Sequence, residues 1–242
     1  MRVLGIVAKV LCMVCLPILL VTATIAFESN SLWLYKNGFE KYNVSQTTGL
    51  AEAELEKAAT GLINYFNSDE EHISLTVIKD GKPFKLFNQQ EVAHLKDVKG
   101  LVRLDYRLLL GTAIYIGAYA GICLFWRKRR RRLAWGVVGG SSIALGMMLA
   151  LGIGSMVLDF GQLYTQFHLF AFTNELWMLD PTKDYLIMLV PEGFQYDMVM
   201  LFAKITMGIA GTLCGVAGGY LWTRRGLRSK CGQGETKPFS RC

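Results

Sequence analysis

The sequence predicts an α-helical integral membrane protein, a four-TM-helix bundle with a small extracytoplasmic α/β cap. Three observations predict it. The 242-residue chain is 52% hydrophobic with a mean hydropathy of +0.31, high for a soluble domain. Four segments are apolar over the roughly 20 residues that a spanning helix needs. The charge is also unevenly placed. The net +7 gathers in RKRRRR (Arg127 to Arg132) and in a tail with Arg224, Arg225, Arg228 and Lys230. This is the positive-inside pattern of cytoplasmic loops, so the basic balance calls for no nucleic-acid partner.

Residues 1–27 form the first span, apolar from Val3 to Phe27 except for Lys9. A cleaved signal peptide is the rival reading, with Thr24-Ile25-Ala26 as its small-residue site. The apolar stretch from Val10 to Phe27 is longer than a usual signal core. Residues 28–107 make the cap. Thr48 is expected to cap a helix running to about Phe66, with Leu55, Ala59, Leu62, Ile63 and Phe66 on its apolar face. In ISLTVIKDGKPFKLF two strand-like runs flank Asp80-Gly81, a tight hairpin turn. Asn88 and Glu91 form a capping box. The helix they open carries Val92, Leu95, Val98 and Leu101 and continues into the second span, 108–126.

A basic cytoplasmic loop, 127–132, leads to the third span, 133–158, which is charge-free and long enough to tilt. The aromatic, interfacial segment 159–197 follows, then the fourth span, 198–222, with Lys204 inside it, and a tail, 223–242. With the basic loop and tail inside, both termini are cytoplasmic, and 28–107 and 159–197 face outward. Asp180-Pro181 starts a turn. YLIMLV is too short to span and should lie at the interface or under the cap. Pro191 and Glu192 suit the first turn approaching span four. Gly136/Gly140 and Gly211/Gly215/Gly219 have the small-xxx-small spacing that lets helices approach closely.

Cys12, Cys15, Cys123, Cys214, Cys231 and Cys242 all fall in spans or tail, so the outward segments have no disulfide framework. Cys12 and Cys15 read as apolar packing. No nucleophile elbow, phosphate loop or dinucleotide fingerprint is present. Three histidines without a ligand cluster argue against a metal, and no cofactor is expected. Histidine acid–base chemistry remains. His72, among acidic residues, reads as a solvated surface group. His94 has Asp97 at i+3, where a carboxylate can orient the imidazole. His168 sits among Tyr164, Phe167, Phe170 and Phe172, with Asn174, Trp177 and Asp180 following. Aromatic belts are ordinary at a bilayer interface, but a belt needs no histidine, asparagine or aspartate. Ionisable groups near membrane depth cost free energy and mark functional sites. Both histidines leave their spans on the outward side, where they could share proton transfer. Lys204 reads as a snorkelling lysine or a lipid head-group contact.

Two stretches, FNQQEVAHLKDVK around His94 and FHLFAFTNELWMLDPTKDYLIMLVPEGF from Phe167 to Phe194, resemble the bacterial lipoprotein intramolecular transacylase family. The likeness in topology extends over nearly the whole chain; the specific signal lies in those two motifs. The resemblance implies two catalytic histidines, His94 and His168. It also implies movement of the sn-2 acyl chain of a diacylglyceryl lipoprotein to the α-amino group of its N-terminal cysteine, giving the lyso form. The partners would be diacylated bacterial lipoproteins and membrane lipid. The place would be the outer face of the bacterial cytoplasmic membrane. Such a transfer closes a ring of about eight atoms and needs orientation rather than an enzyme nucleophile. On this reading His94, oriented by Asp97, is the general base. His168 stabilises the oxyanion or protonates the departing sn-2 alkoxide, and the two roles are open to reversal. Asn174 and Trp177 would supply a hydrogen bond and a pocket wall, and Asp180 a turn. Tyr164, Phe167, Phe170 and Phe172 would line the acyl pocket. A non-enzymatic accessory or sensor protein with a ligand-binding cap, and a bimolecular membrane acyltransferase, are the alternatives. No motif sets the oligomeric state.

Overall fold

Among the described residues, four helices are long and apolar enough to cross a membrane. The computed structural model describes residues 2–126, 129–157 and 159–233. Arg127, Lys128, Leu158 and the tail from 234 with Cys242 lie outside these, as do the side chains of 226–233, Cys231 among them. In chain order the elements are α1 (Arg2–Ser29), α2 (Leu32–Lys41), α3 (Val44–Thr48), α4 (Glu52–Asn67), β1 (Thr76–Lys79), β2 (Lys82–Lys85), α5 (Gln89–Gly121), α6 (Arg130–Val157), α7 (Phe160–Ala171), α8 (Tyr185–Leu189) and α9 (Glu192–Gln233). A π-turn, Ile122–Trp126, closes α5. The chain divides into two compact units.

The first unit comprises 1–21, 110–149 and 206–242. Leu16, Leu20, Ala144 and Ala210 form one small core, and Cys12, Tyr119 and Cys123 another. Cys12 is thus a packing residue, as its apolar setting suggested. Gly136 and Gly140 let α1 come close: a Cβ at these positions would lie 3.1 Å from Cys12 Sγ and 2.8 Å from Leu16 Cβ. The second small-residue series behaves otherwise. A Cβ on Gly211, Gly215 or Gly219 would meet nothing within 4 Å, so the close approach expected there is absent. Small residues permit contact but supply no attraction of their own.

The second unit comprises 22–109 and 150–205. Its core gathers Phe39 and Val44, then Leu55, Ala59, Leu62 and Phe66 of α4, Val77 of β1, Leu95 of α5, Leu189 of α8 and Phe194 of α9. The short apolar run YLIMLV is therefore α8 packed into the cap core. β1 and β2 pair antiparallel, with Val77 opposite Phe84, about a turn whose Asp80 and Gly81 both have positive φ (51° and 74°). Positive φ at both central positions is the conformation that Asp-Gly favours. Thr48 differs from expectation. It ends α3 and bonds its own turn, its hydroxyl donating to the Val44 carbonyl at 2.7 Å, while α4 begins at Glu52 after Ala51. The acceptor lone pair of Thr48 Oγ1 takes the Leu50 N–H at 3.3 Å, so the hydroxyl closes the link after α3 rather than the first turn of α4.

The capping box at Asn88 forms in full. The Asn88 N–H donates to Glu91 Oε2 at 2.7 Å, and the Glu91 N–H donates to Asn88 Oδ1 at 3.0 Å. From it α5 runs without interruption through Arg107, its last charged residue, into the charge-free stretch that begins at Leu108. Lys99, 3% exposed, pins α5 to the end of α4, lying 4.0 Å from the Tyr65 ring and donating to the Glu70 carbonyl at 2.6 Å.

Candidate active site

His94 lies in the second turn of α5, on the face toward the cap core, and is 5% exposed. His168 lies in the last turn of α7 and is 7% exposed. The two imidazoles come together, with centroids 6.1 Å apart. Phe172, the residue that ends α7, stands edge-on to His94 at 5.1 Å and 5.6 Å from His168. Trp177 lies 5.0 Å from the His168 ring and Tyr164 3.9 Å from it. The result is an aromatic box around two histidines. Rings at this separation are near enough to act on one reacting group.

The two imidazoles differ in their hydrogen bonds. His168 Nδ1 is 2.8 Å from the Tyr164 carbonyl. A carbonyl only accepts, so Nδ1 carries the proton and Nε2 keeps its lone pair. His94 Nδ1 is buried and has no hydrogen-bond partner among the described residues. An orphaned buried polar atom costs roughly 1–3 kcal/mol, which marks a group kept for a partner that arrives later. Burial lowers the pKa of both imidazoles. His94 falls from 6.5 to about 4, with the nearby His168 deepening the shift and Asp97 opposing it. For His168 the bond to the Tyr164 carbonyl opposes the effect of burial. Both rings are therefore neutral near pH 7.

Asp97 does not orient His94 by a hydrogen bond. Its Oδ2 accepts from Asn174 Nδ2 at 2.8 Å, and Asn174 Oδ1 accepts the Leu176 N–H at 3.1 Å. The pair instead ties α5 to the loop that carries Trp177, because an amide from across the fold outcompetes a ring one helical turn away. Asp180 stands apart from the histidines and holds its own turn, its Oδ1 accepting from the Thr182 N–H at 2.9 Å and from the Thr182 hydroxyl at 2.7 Å. Phe170 is 92% exposed and turns away from the box; Phe167 is 56% exposed and touches His168 only edge-on at 5.3 Å. Successive residues of α7 advance 100° around the helix, so Phe167 and Phe170 cannot share the His168 face. His72 and Lys204 are exposed. Among the described residues, no three His, Cys, Asp or Glu side chains converge as a metal would require.

Two residues that matter, Gln90 and Asp184, escaped the reading by sequence, and Glu91 was read only as half of a capping box. Glu91, 1% exposed, uses its second oxygen to accept the Leu186 N–H at 2.6 Å. Asp184, 2% exposed, accepts from Asn88 Nδ2 at 2.8 Å and from the Asp180 N–H at 2.7 Å. Gln90 Nε2 donates to the carbonyls of Leu176 and Met178 at 3.3 and 3.1 Å. Together they strap the start of α5 to the loop and α8, setting Trp177 and Asn174 against the histidine box. Besides the capping box at Glu91, the available signal was Asp184, placed like an N-cap before the apolar run of α8.

A family model described as lipoprotein intramolecular transacylase Lit matches residues 10–195. The chain is similar to the in meso structure of the membrane-integral lipoprotein intramolecular transacylase Lit from Bacillus cereus. The two share 18% identity and a TM-score of 0.78 over 94% of this chain and 100% of that one. Two further structures of that protein carry a substituted histidine. With alanine in its place the identity is 18% and the TM-score 0.70, over 92% of this chain and 96% of the other. With arginine they are 17% and 0.67, over 90% and 93%. No curated protein sequence matches the chain. Matched by the family model over most of its length, the chain belongs to the lipoprotein intramolecular transacylase family and is an integral membrane enzyme that transfers an acyl group within a lipoprotein.

Proposed function

We propose that the enzyme moves the sn-2 acyl chain of a diacylglyceryl lipoprotein to the α-amino group of its N-terminal cysteine, with His168 as proton shuttle and His94 as oxyanion donor. The observation that carries this reading is the contrast between the two imidazoles: one Nε2 held as a base by a carbonyl, and one Nδ1 buried without a partner. The free α-amine attacks the ester carbonyl, and His168 Nε2 takes the amine proton. The oxyanion of the tetrahedral carbon accepts a hydrogen bond from His94 Nδ1–H. A neutral imidazole is the better donor here because it brings no second cation next to protonated His168. Collapse expels the sn-2 alkoxide, which recovers the proton from His168. Amide and alcohol result, and no enzyme nucleophile takes part.

This reverses the roles expected from sequence, since the general base is the histidine with an orienting partner and Asp97 is not bonded to His94. Phe172, Trp177 and Tyr164 keep water out and hold the chain ends together, the entropic work that closing a ring of about eight atoms needs. The basic residues at 127–132 and 224–230 support cytoplasmic termini and chemistry on the outer face of a bacterial cytoplasmic membrane. The test is co-expression with a reporter lipoprotein in a host lacking N-acylation, with fragment-ion mass spectrometry of the reporter's N-terminal peptide. Wild type should give the N-acyl lyso form. His94→Ala and His168→Ala should each lower its rate by roughly 10²–10⁴-fold. Persistence of the lyso form in both variants sinks the assignment. Isotope-labelled phospholipid should leave no label on the product nitrogen.

A further inference from the structure

In the first unit, where α1 and α6 begin, Ile6, Lys9, Arg129, Arg131, Arg132 and Trp135 line a cavity of about 520 Å³. A third helix contributes there, since the Arg225 guanidinium of α9 lies 5.8 Å over the Trp135 ring. Arg132 is seated against the α1 backbone, where a Cβ on Gly5 would fall 1.9 Å from its Nη1. The absence of a side chain at Gly5 leaves the guanidinium room against α1. None of these cations forms an ion pair with a carboxylate among the described residues. The supply of acid is itself nearly nil: the segments of this unit hold fourteen lysines and arginines and one acidic residue, Glu235.

Lys9, Arg129, Arg131 and Arg132 line the cavity and Arg225 lies over its Trp135 wall, so like charges repel there and an anion would relieve the repulsion. The N-terminal end of α6, a 28-residue helix starting at Arg130, adds its positive dipole at the same place. The flanks identify the kind of anion. Ile6 is 57% exposed and Trp135 39%, a combination of aliphatic and indole surface that suits the glycerol and upper acyl region of a lipid. A free phosphate would gain nothing from them.

We propose that this cavity binds the phosphodiester headgroup of an anionic phospholipid, apart from the acyl-transfer chemistry of the second unit. Basic pockets between membrane helices recognise such headgroups by charge and shape together. The lipid then acts as the missing counter-ion and holds the ends of α1, α6 and α9 in one arrangement.

The test uses the full-length protein, delipidated in neutral detergent, with short-chain phosphatidylglycerol titrated by native mass spectrometry. Phosphatidylcholine and inorganic phosphate are run in parallel as competitors. One phosphatidylglycerol per chain should bind, and neither competitor should displace it at equal concentration. Lys9→Gln with Arg131→Gln should weaken binding roughly thirty-fold, about five-fold for each cation removed. Arg130→Gln with Arg224→Gln, an equal charge change at basic residues outside the cavity lining, should leave affinity within about three-fold. Arg131→Gln alone, at an exposed side chain, should show the five-fold loss even if the double variant folds poorly. Equal weakening by both doubles would mean bulk charge rather than a site. Displacement by inorganic phosphate would mean an anion site with no lipid preference. Either result overturns the proposal.

Discussion

Asp184→Ala tests whether the strap that positions the histidine box is structural in fact. Asp184 is 2% exposed and accepts two hydrogen bonds, from Asn88 Nδ2 at 2.8 Å and from the Asp180 N–H at 2.7 Å. Truncation leaves both donors without an acceptor, and each such loss costs about 1–3 kcal/mol. The sum, roughly 2–6 kcal/mol, corresponds to a fall in Tm of about 4–24 °C for a chain of this size. Asp184→Asn should cost about half as much. Its single oxygen can still accept from Asp180, while its amide faces the Asn88 amide, donor to donor. Activity should suffer more than folding. The loop released by the mutation carries Asn174 and Trp177, and a misplacement of about 1 Å can cost around 10²-fold in rate. The assay is the Tm of the detergent-purified enzyme by intrinsic tryptophan fluorescence, paired with lyso-form yield well below both melting points. A Tm within about 1 °C of wild type with full activity, or an asparagine variant worse than the alanine one, would refute the reasoning.

The remaining predictions concern pH, pocket walls and packing. Because His94 and His168 titrate below the usual 6.5 in the folded protein, the unfolded chain binds more protons there as pH falls. Stability should therefore decline from about pH 6.5 toward about pH 4, with most of that slope missing in His94→Gln, read as Tm against pH. The initial rate should be flat near neutrality and drop on the acid side as the base is protonated. Phe172→Ala should cut turnover by at least about ten-fold through loss of the wall between the two imidazoles, while Phe170→Ala, at 92% exposure, should leave it unchanged in the same mass-spectrometric assay. Gly38→Ala should destabilise the second unit by about 1–3 kcal/mol, since its Cβ would lie 2.5 Å from the Phe194 ring; no change in Tm would contradict that packing.

Much of the architecture was legible along the chain because the rules that produce it are local. Hydropathy over twenty residues marks a span, Asp80-Gly81 marks a hairpin, and Asn88 with Glu91 marks a helix start, each within a few residues of its cause. His94 and His168 were legible as candidates, from ionisable residues interleaved with aromatic ones and from the resemblance of the two stretches around them to a transacylase family. Thr48 shows where local rules fail, since one hydroxyl can serve two turns and only packing chooses between them.

What tertiary structure alone decided is which groups meet. Asp97 bonds to Asn174, 77 positions away, rather than to His94, and Asn88 bonds to Asp184 across 96 positions. The inward choice of Phe172 and Trp177 over Phe170, and the burial that keeps both imidazoles neutral, are likewise products of the assembled cap. By itself the sequence determined the spans, the helix start at Asn88 and the two candidate histidines. Tertiary structure decided what surrounds those histidines, because hydrogen bonding and desolvation depend on neighbours brought from distant parts of the chain.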